Sequence, residues 1–315
     1  MIYLRAESIC ETRAPLVPAD VRRLGMKVVV QRSAQRAFAD ADYAAAGAEL
    51  TDEPWWKFPD ALILGLKELT DLDKLSGHRH VYFAHCYRGQ QGSEAILTAF
   101  AASGSWLYDL EYFRRGERVL AFGFYAGVVG AAVGLIGGGS IRPWSSLEAM
   151  IADVPARERR IAIVGRGRCA RGVRFVLDRL GLPYTLMGRG PIDVSGYDIL
   201  FNCILLDPSY SEKWIPEEPT RPLLVVDVSC DYTKANNPLP YSRCTTCEEP
   251  VLRVSEHISV IAIDNLPSLL PIESSTEFSA ALTELLGCYG DVCWTECLDM
   301  FRHTWDDRFG GTRGT

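Results

Sequence analysis

The sequence has no surplus of positive charge: 33 lysines and arginines stand against 40 aspartates and glutamates, for a formal net charge of -7. A surface for nucleic acid needs clustered cations, so that class of partner is not expected. No basic segment followed by an apolar core opens the chain. Met1 runs almost directly into the strand-like Ile2-Tyr3-Leu4-Arg5, and no secretory leader is read there. Nor is there an apolar run long enough for a bilayer. The stretch from Leu120 to Ile136 is rich in Gly and Ala and falls short of roughly 18 uninterrupted apolar residues, so it reads as a buried helix. The expectation is a cytoplasmic protein with no membrane partner. Repeats and low-complexity segments are absent. The ten cysteines lack a second tight pair: Cys244-Thr-Thr-Cys247 resembles half a zinc site, but Cys288, Cys293 and Cys297 do not supply the other half. No metal is expected, and the cysteines read as small buried hydrophobes of a reducing compartment.

What the sequence does contain is a globular composition, 48% hydrophobic and 23% charged over 315 residues, a length that suits two domains sharing a cleft. Lys27-Val-Val-Val30 reads as a strand and Tyr43-Ala-Ala-Ala-Gly-Ala48 as a short helix. Ala61–Gly65 and Val81–Ala84 are apolar runs bounded by polar residues, the form of parallel strands buried on both faces. Ile96, Leu97, Phe100 and Ala101 fall at helical spacing, and Trp106–Glu111 reads as a further strand. A second alternating series follows: strands at Ile161–Val164, Tyr184–Met187, Asp198–Leu206, Leu223–Val228 and Ile258–Ile263, with a helix from Arg171 to Leu180. This is the pattern of an α/β protein with two Rossmann-like doubly wound domains flanking an active-site cleft. The expected boundaries are 1–121 plus 272–315 for a substrate and catalytic domain, and 122–271 for a dinucleotide-binding domain. The helix near 124–136 reads as the crossing point, Pro267 and Pro271 as a break, and the tail as helical and folded back onto the first domain.

Gly165-Arg-Gly167-Arg168-Cys-Ala170 matches G-x-G-x-x-G/A directly after a strand and before a helix. Gly165 allows the tight turn, Gly167 the approach of a pyrophosphate, and Ala170 close helix–strand packing. The helix start adds free N–H groups and the positive end of its dipole. A ribose-binding acid is expected about 20 residues on, but the next strand ends Met187-Gly188-Arg189. An Arg there suits a 2′-phosphate, and the reading leans to NADP(H) over NAD(H). In the other reading Asp193 or another acid meets the ribose.

Several blocks carry a resemblance. They are Leu4-Arg-Ala-Glu-Ser8 with Glu11-Thr-Arg13-Ala-Pro-Leu-Val-Pro18, then Gly65-Leu-Lys67-Glu68 and Phe83-Ala-His85-Cys-Tyr-Arg88-Gly-Gln90. Leu107-Tyr-Asp-Leu-Glu111, Arg118–Gly127, Val225-Val-Asp-Val-Ser-Cys-Asp231 and Asp264-Asn-Leu-Pro-Ser-Leu-Leu-Pro271 complete the set. In order and spacing, from residue 4 to about 280, these resemble the lysine-forming saccharopine dehydrogenases, relatives of alanine dehydrogenase. The resemblance implies an NAD(P)-dependent oxidoreductase that makes or cleaves a secondary amine joining lysine and 2-oxoglutarate. It implies Lys67 and His85 as the acid–base pair and Arg13 and Arg118 as binders of the dicarboxylate. Gln90, Arg88, Glu68 and Glu111 take polar positions at the substrate, and Asp227, Asp264 and Leu266 join Gly165, Gly167, Arg168, Ala170 and Arg189 at the cofactor. The residue types suit the chemistry by themselves: oxidation of an amine needs a base, and hydration and collapse of the imine need acid–base help. His titrates near neutrality and a Lys can be brought there by burial and neighbouring cations.

The chain departs from the family in places. A family lysine after the first Glu block is Ile9 or Cys10 here, one after the His is Arg88, and the segment between Gly139 and Arg160 is short. Cys169 and Cys203 match a pair able to form a reversible disulfide in some relatives, against two reduced thiols as the simpler expectation. Two other functions therefore stay open at the level of sequence. One is an opine-type reductive coupling of a different amine and oxo acid; the other is a non-catalytic nucleotide-binding protein. The amino acid and oxo-acid partners and the oligomeric state are not read from the sequence.

Overall fold

Apolar β-branched runs and glycine-punctuated helices build two compact units, residues 1–121 with 274–315, and residues 122–273. The computed structural model describes residues 1–7, 11–90, 92–139, 141–188, 192–194, 196–206, 209, 213–215, 218–232 and 236–309. In the first unit the strands are β1 (Ile2–Leu4), β2 (Val28–Gln31), β3 (Glu49–Thr51), β4 (Leu62–Leu64), β5 (Arg79–Tyr82) and β6 (Trp106–Asp109). They form one parallel sheet in the order β3-β2-β1-β4-β5-β6. Residues 2–4, 28–30 and 62–64 are wholly buried, which is why they read as unbroken apolar runs. A small antiparallel hairpin, β7 (Arg114–Arg115) and β8 (Glu117–Arg118), follows the sheet.

The connecting helices of this unit are α1 (Pro18–Leu24), α2 (Asp40–Ala45) and α3 (Ser93–Ala102). In the second unit α4 (Gly123–Ile136), α5 (Leu147–Asp153) and α6 (Arg168–Arg179) accompany β9 (Ile161–Val164), β10 (Tyr184–Met187), β11 (Ile199–Asn202), β12 (Leu223–Asp227), β13 (Leu252–Arg253) and β14 (Ile258–Ile261). Their order is β10-β9-β11-β12-β14-β13, parallel except for β13 at the edge. The chain ends in α7 (Pro271–Gly287) and α8 (Val292–Phe309). Ser275 and Ser279 of α7 accept from the backbone N–H groups of Ala14 and Val17. Trp294 of α8 packs edge-on against Tyr108 and Phe113. These contacts hold the loop bearing Arg13 and the end of β6. No helix among the described residues is long and apolar enough to cross a membrane.

The structure shifts some expected elements. The third strand run, 81–84, is displaced to 79–82 because Phe83 and Ala84 leave the sheet ahead of His85, whose φ of 49° turns the chain. The run from 198 to 206 supplies a strand only to Asn202, and 106–111 only to Asp109. The short β3, β13, α1, α5 and the hairpin carry too little periodicity to be read in advance. Pro267 lies inside a 3-10 turn over Leu266–Leu269, while Pro271 opens α7; proline is favoured there because its missing N–H has no partner at a helix start. The helix read over 124–136 is α4, packed within the second unit against α6.

That crossing is tight. A Cβ on Gly172 of α6 would overlap the Phe124 carbonyl of α4, and one on Gly127 of α4 would overlap the Cys169 carbonyl of α6. Gly172→Ala should therefore destabilise the protein by about 1–3 kcal/mol through overpacking, outweighing the gain of up to about 1 kcal/mol that alanine brings to a helix interior. Urea unfolding measures this, and an unchanged or raised midpoint would contradict the tight crossing.

Candidate active site

Among the parallel strands of each sheet the chain reverses its direction of winding once, and the groups next to that point are set by topology. In the first unit the reversal falls between β1 and β4, in the second between β9 and β11. Open α/β sheets bind ligands beyond the carboxyl ends of the strands at such switch points, because there the two flanking loops diverge and leave a crevice.

In the first unit Lys67, half-buried, stands three residues after β4, and Glu68 beside it is exposed. His85 follows β5 and its side chain is 45% exposed, open to a ligand. Its Nδ1 lies 3.7 Å from a Glu111 carboxylate oxygen, an ion-pair distance, and the other oxygen lies 3.4 Å from Arg118 Nη1. The Glu111 carboxylate holds the His85 pKa above its ordinary value against the effect of burial, with Asp109 and Glu68 adding. In return His85 foremost, then Arg118 and Arg88, hold the Glu111 carboxyl below the usual carboxylate range. Phe83 stacks on the His85 ring at 5.9 Å, and Arg118 lies 5.6 Å over the Phe83 ring. The Arg88 backbone N–H donates to Gln90 Oε1 at 2.8 Å. Lys67, Glu68, His85, Arg88, Gln90, Glu111 and Arg118 thus lie along the carboxyl ends of β4, β5 and β6 and the segments that follow them.

Arg13 is placed differently from a solvent-facing clamp. Its side chain is 5% exposed, its partner Glu11 0%, and they pair through Nε–Oε1 at 2.9 Å and Nη2–Oε2 at 2.7 Å. Burial pushes the Glu11 carboxyl up, but the Arg13 hydrogen bonds and charge, with Lys67 adding, hold it below the usual range. Sequence reasoning missed Asp109, fully buried at the end of β6, whose Oδ1 accepts from the Glu111 N–H at 2.9 Å. Burial raises its carboxyl to about 6. The signal was present as a polar residue closing an apolar strand.

In the second unit β9 leads into Gly165 at φ 112°, and an added Cβ there would sit 2.9 Å from the Cys203 carbonyl oxygen beyond β11. Only glycine fits this turn. Gly167 is the N-cap of α6 with open space where a Cβ would stand, and Ala170 is fully buried under the helix. The start of this twelve-residue helix, which has no side-chain cap, Gly165, Gly167 and half-buried Arg168 together fit a dinucleotide pyrophosphate. Arg189 lies outside the described residues, and Asp193 is exposed beyond β10. Asp227 is 1% exposed: one oxygen accepts from Asn202 Nδ2 and Ser229 Oγ, the other from the Tyr241 hydroxyl at 2.5 Å. Burial raises its pKa against those bonds, and its surroundings are those of a buried anchor for the loop after β12. Asp264 is exposed, and the Leu266 side chain is buried in the core. Cys169 and Cys203 are free thiols, and no metal-ligating group forms among the described residues.

Residues 3–129 match the alanine dehydrogenase/PNT N-terminal domain. The Schizosaccharomyces pombe saccharopine dehydrogenase [NAD(+), L-lysine-forming] is 35% identical, with 92% of this chain and 93% of that enzyme covered. The Emericella nidulans enzyme of the same name is 36% identical over 95% and 96%. The chain belongs to the lysine-forming saccharopine dehydrogenase family. Among solved structures an L-alanine dehydrogenase superposes with a TM-score of 0.72 at 15% identity, covering 96% of this chain and 94% of that one. The Sinorhizobium meliloti transhydrogenase gives 0.69 at 14%, covering 94% and 97%. Those two likenesses speak for the fold, two Rossmann-like domains, as seen in this saccharopine dehydrogenase relative.

The His85–Glu111 pair makes a testable electrostatic link. A raised histidine holds its proton to higher pH, so removing the anion must move its ionisation toward acid. Glu111→Gln should shift the His85 limb of the kcat/KM profile to lower pH, and the His85 ring signals in an NMR titration should move the same way. An unmoved ionisation would mean that the pair does not form.

Proposed function

We propose that the protein catalyses the reversible NAD(P)-dependent cleavage of saccharopine, the secondary amine joining lysine and 2-oxoglutarate. The observation that carries this reading is the line of Lys67, His85, Glu111 and Arg118 along the carboxyl edge of one sheet, in a chain of this family. Gly165, Gly167, Arg168 and Ala170 are the residues to hold the dinucleotide, which when bound supplies the hydride acceptor for the amine carbon.

The chain's own groups do the proton work. Lys67 takes the proton from the secondary amine. His85, kept protonated to higher pH by Glu111, gives and takes the proton as water adds to the imine carbon and the carbinolamine collapses to amine and oxo acid. Arg118 offers its guanidinium to a substrate carboxylate; Arg13 acts through Glu11, with which it is already paired. Asp227 anchors the loop after β12, while Asp264 orients the cofactor end of the site.

Lys67→Met and His85→Gln should each lower turnover about 10²–10⁴-fold, the usual contribution of a general acid or base, with dinucleotide affinity unchanged. Saccharopine oxidation followed at the reduced-nicotinamide absorbance is the assay. Full turnover in both variants with an unchanged pH profile would overturn the assignment.

The 2′ position of the cofactor depends on the segment after β10. Met187-Gly188-Arg189 supplies no acid for a ribose hydroxyl and an arginine suited to a 2′-phosphate, whereas the relatives carry NAD(+) in their names. If Arg189 meets the phosphate, Arg189→Asp should weaken NADPH about 10- to 100-fold relative to NADH, the loss of one charge-assisted contact. Equal ratios for wild type and variant would contradict the contact between Arg189 and a 2′-phosphate.

A further inference from the structure

Lys67 is held by its backbone from both sides. The Glu7 carboxylate, beyond β1, accepts from the N–H of Leu66 at 2.7 Å and from the N–H of Lys67 at 3.1 Å. Arg5 Nη1 pairs with Glu7 Oε2 at 3.1 Å, and Arg5 Nη2 donates to the Lys67 carbonyl oxygen. The donor and the acceptor of one residue, across the switch point of the sheet, are therefore taken up by one ion pair. Between the two elements lies Gly65, where any Cβ would overlap the guanidinium. A side chain at that position would push Arg5 off the turn. Both partners are nearly sealed from solvent, with side chains 4% and 6% exposed. Arg5 Nε is buried with no hydrogen-bond partner, so the guanidinium sits where the turn needs it rather than where all its own donors are met.

A buried ion pair is a weak source of stability, since desolvation offsets the attraction, but it fixes geometry because each group has few alternatives. General acid–base catalysis is sensitive to that geometry: a displacement of about 1 Å can reduce rate about 10²-fold. We propose that Arg5 and Glu7 are positioning residues that clamp the Gly65-Leu66-Lys67 turn and so aim the Lys67 amine at the reacting nitrogen. The inference rests on the reading of Lys67 as an acid–base group. Both act through Lys67, whose backbone they hold. Glu7 does this with two oxygens on two consecutive N–H groups, a geometry that a neutral amide cannot reproduce because one of its two ends donates.

The test is a double-mutant cycle on the whole enzyme, read as kcat, KM for the dinucleotide, and the pH profile. Glu7→Gln should lower kcat about 10- to 100-fold, the size of effect a displaced catalytic group produces, leave the dinucleotide KM within about 2-fold, and change the shape of the pH profile. In a Lys67→Met background, at raised enzyme concentration, Glu7→Gln should cause no further loss. Because removing one charge leaves the other buried and alone, Arg5→Met/Glu7→Leu is made alongside. This double variant restores an uncharged pair, should keep the wild-type circular dichroism spectrum and Tm, and should remain slow.

Wild-type turnover in the folded double variant would overturn the inference. So would an equal loss from Glu7→Gln with and without Lys67, which marks a structural role. Lys67→Met turning over at the wild-type rate would instead remove the reading of Lys67, and the clamp with it.

Discussion

A parallel sheet buried on both faces admits polar ligands only where its strands end, and this constraint organises the molecule. Residues 2–4, 62–64 and 161–164 are wholly buried, so neither face of those strands can present a charged group to substrate. Polar chemistry collects at their carboxyl ends instead. Arg5 and Glu7 follow β1, Lys67 follows β4, His85 follows β5, Asp109 ends β6 and Glu111 lies two residues beyond it. The second sheet places Gly165 after β9 and Cys203 after β11 by the same rule, and the glycine turn exists because two chain segments must pass within contact there.

Close approach at these ends makes the charges act on one another. Glu111 sits between His85 and Arg118 and takes its lowered pKa from them, while His85 takes a raised one in return. Asp109, one turn earlier, is deeper and goes the other way: desolvation outweighs its hydrogen bonds and raises its pKa to about 6. Two carboxylates two residues apart thus differ in protonation because one has cations beside it and the other has burial without a full set of partners. Glu11 shows the third case, in which burial is severe but a bidentate arginine prevails.

The strands with long β-branched or aliphatic runs were legible in advance, as were the glycine turn, α4 and the helical tail. Periodicity and composition act locally there, over four or more residues. Short elements were not legible. β3 exists because it pairs with β2, α1 because its buried face meets the rest of its unit, and β5 begins at Arg79 because that residue pairs with Leu62 of β4 and Trp106 of β6. Of the site, the residue types and their strand-end positions were visible. Their partners were not: Arg13 as the buried mate of Glu11 and Asp227 as the centre of an Asn202–Ser229–Tyr241 network depend on side chains meeting across the fold.

The sequence by itself determined that this is a two-domain α/β protein with a glycine turn at Gly165 and polar residues at the strand ends, because strand burial and glycine geometry impose patterns on adjacent residues. Only the tertiary structure decided which charge faces which. Arg5 and Glu7 lie about 60 positions from Lys67 in the chain and reach it because β1 and β4 are neighbours in the sheet. No local pattern encodes that pairing; it follows from the order in which the strands assemble.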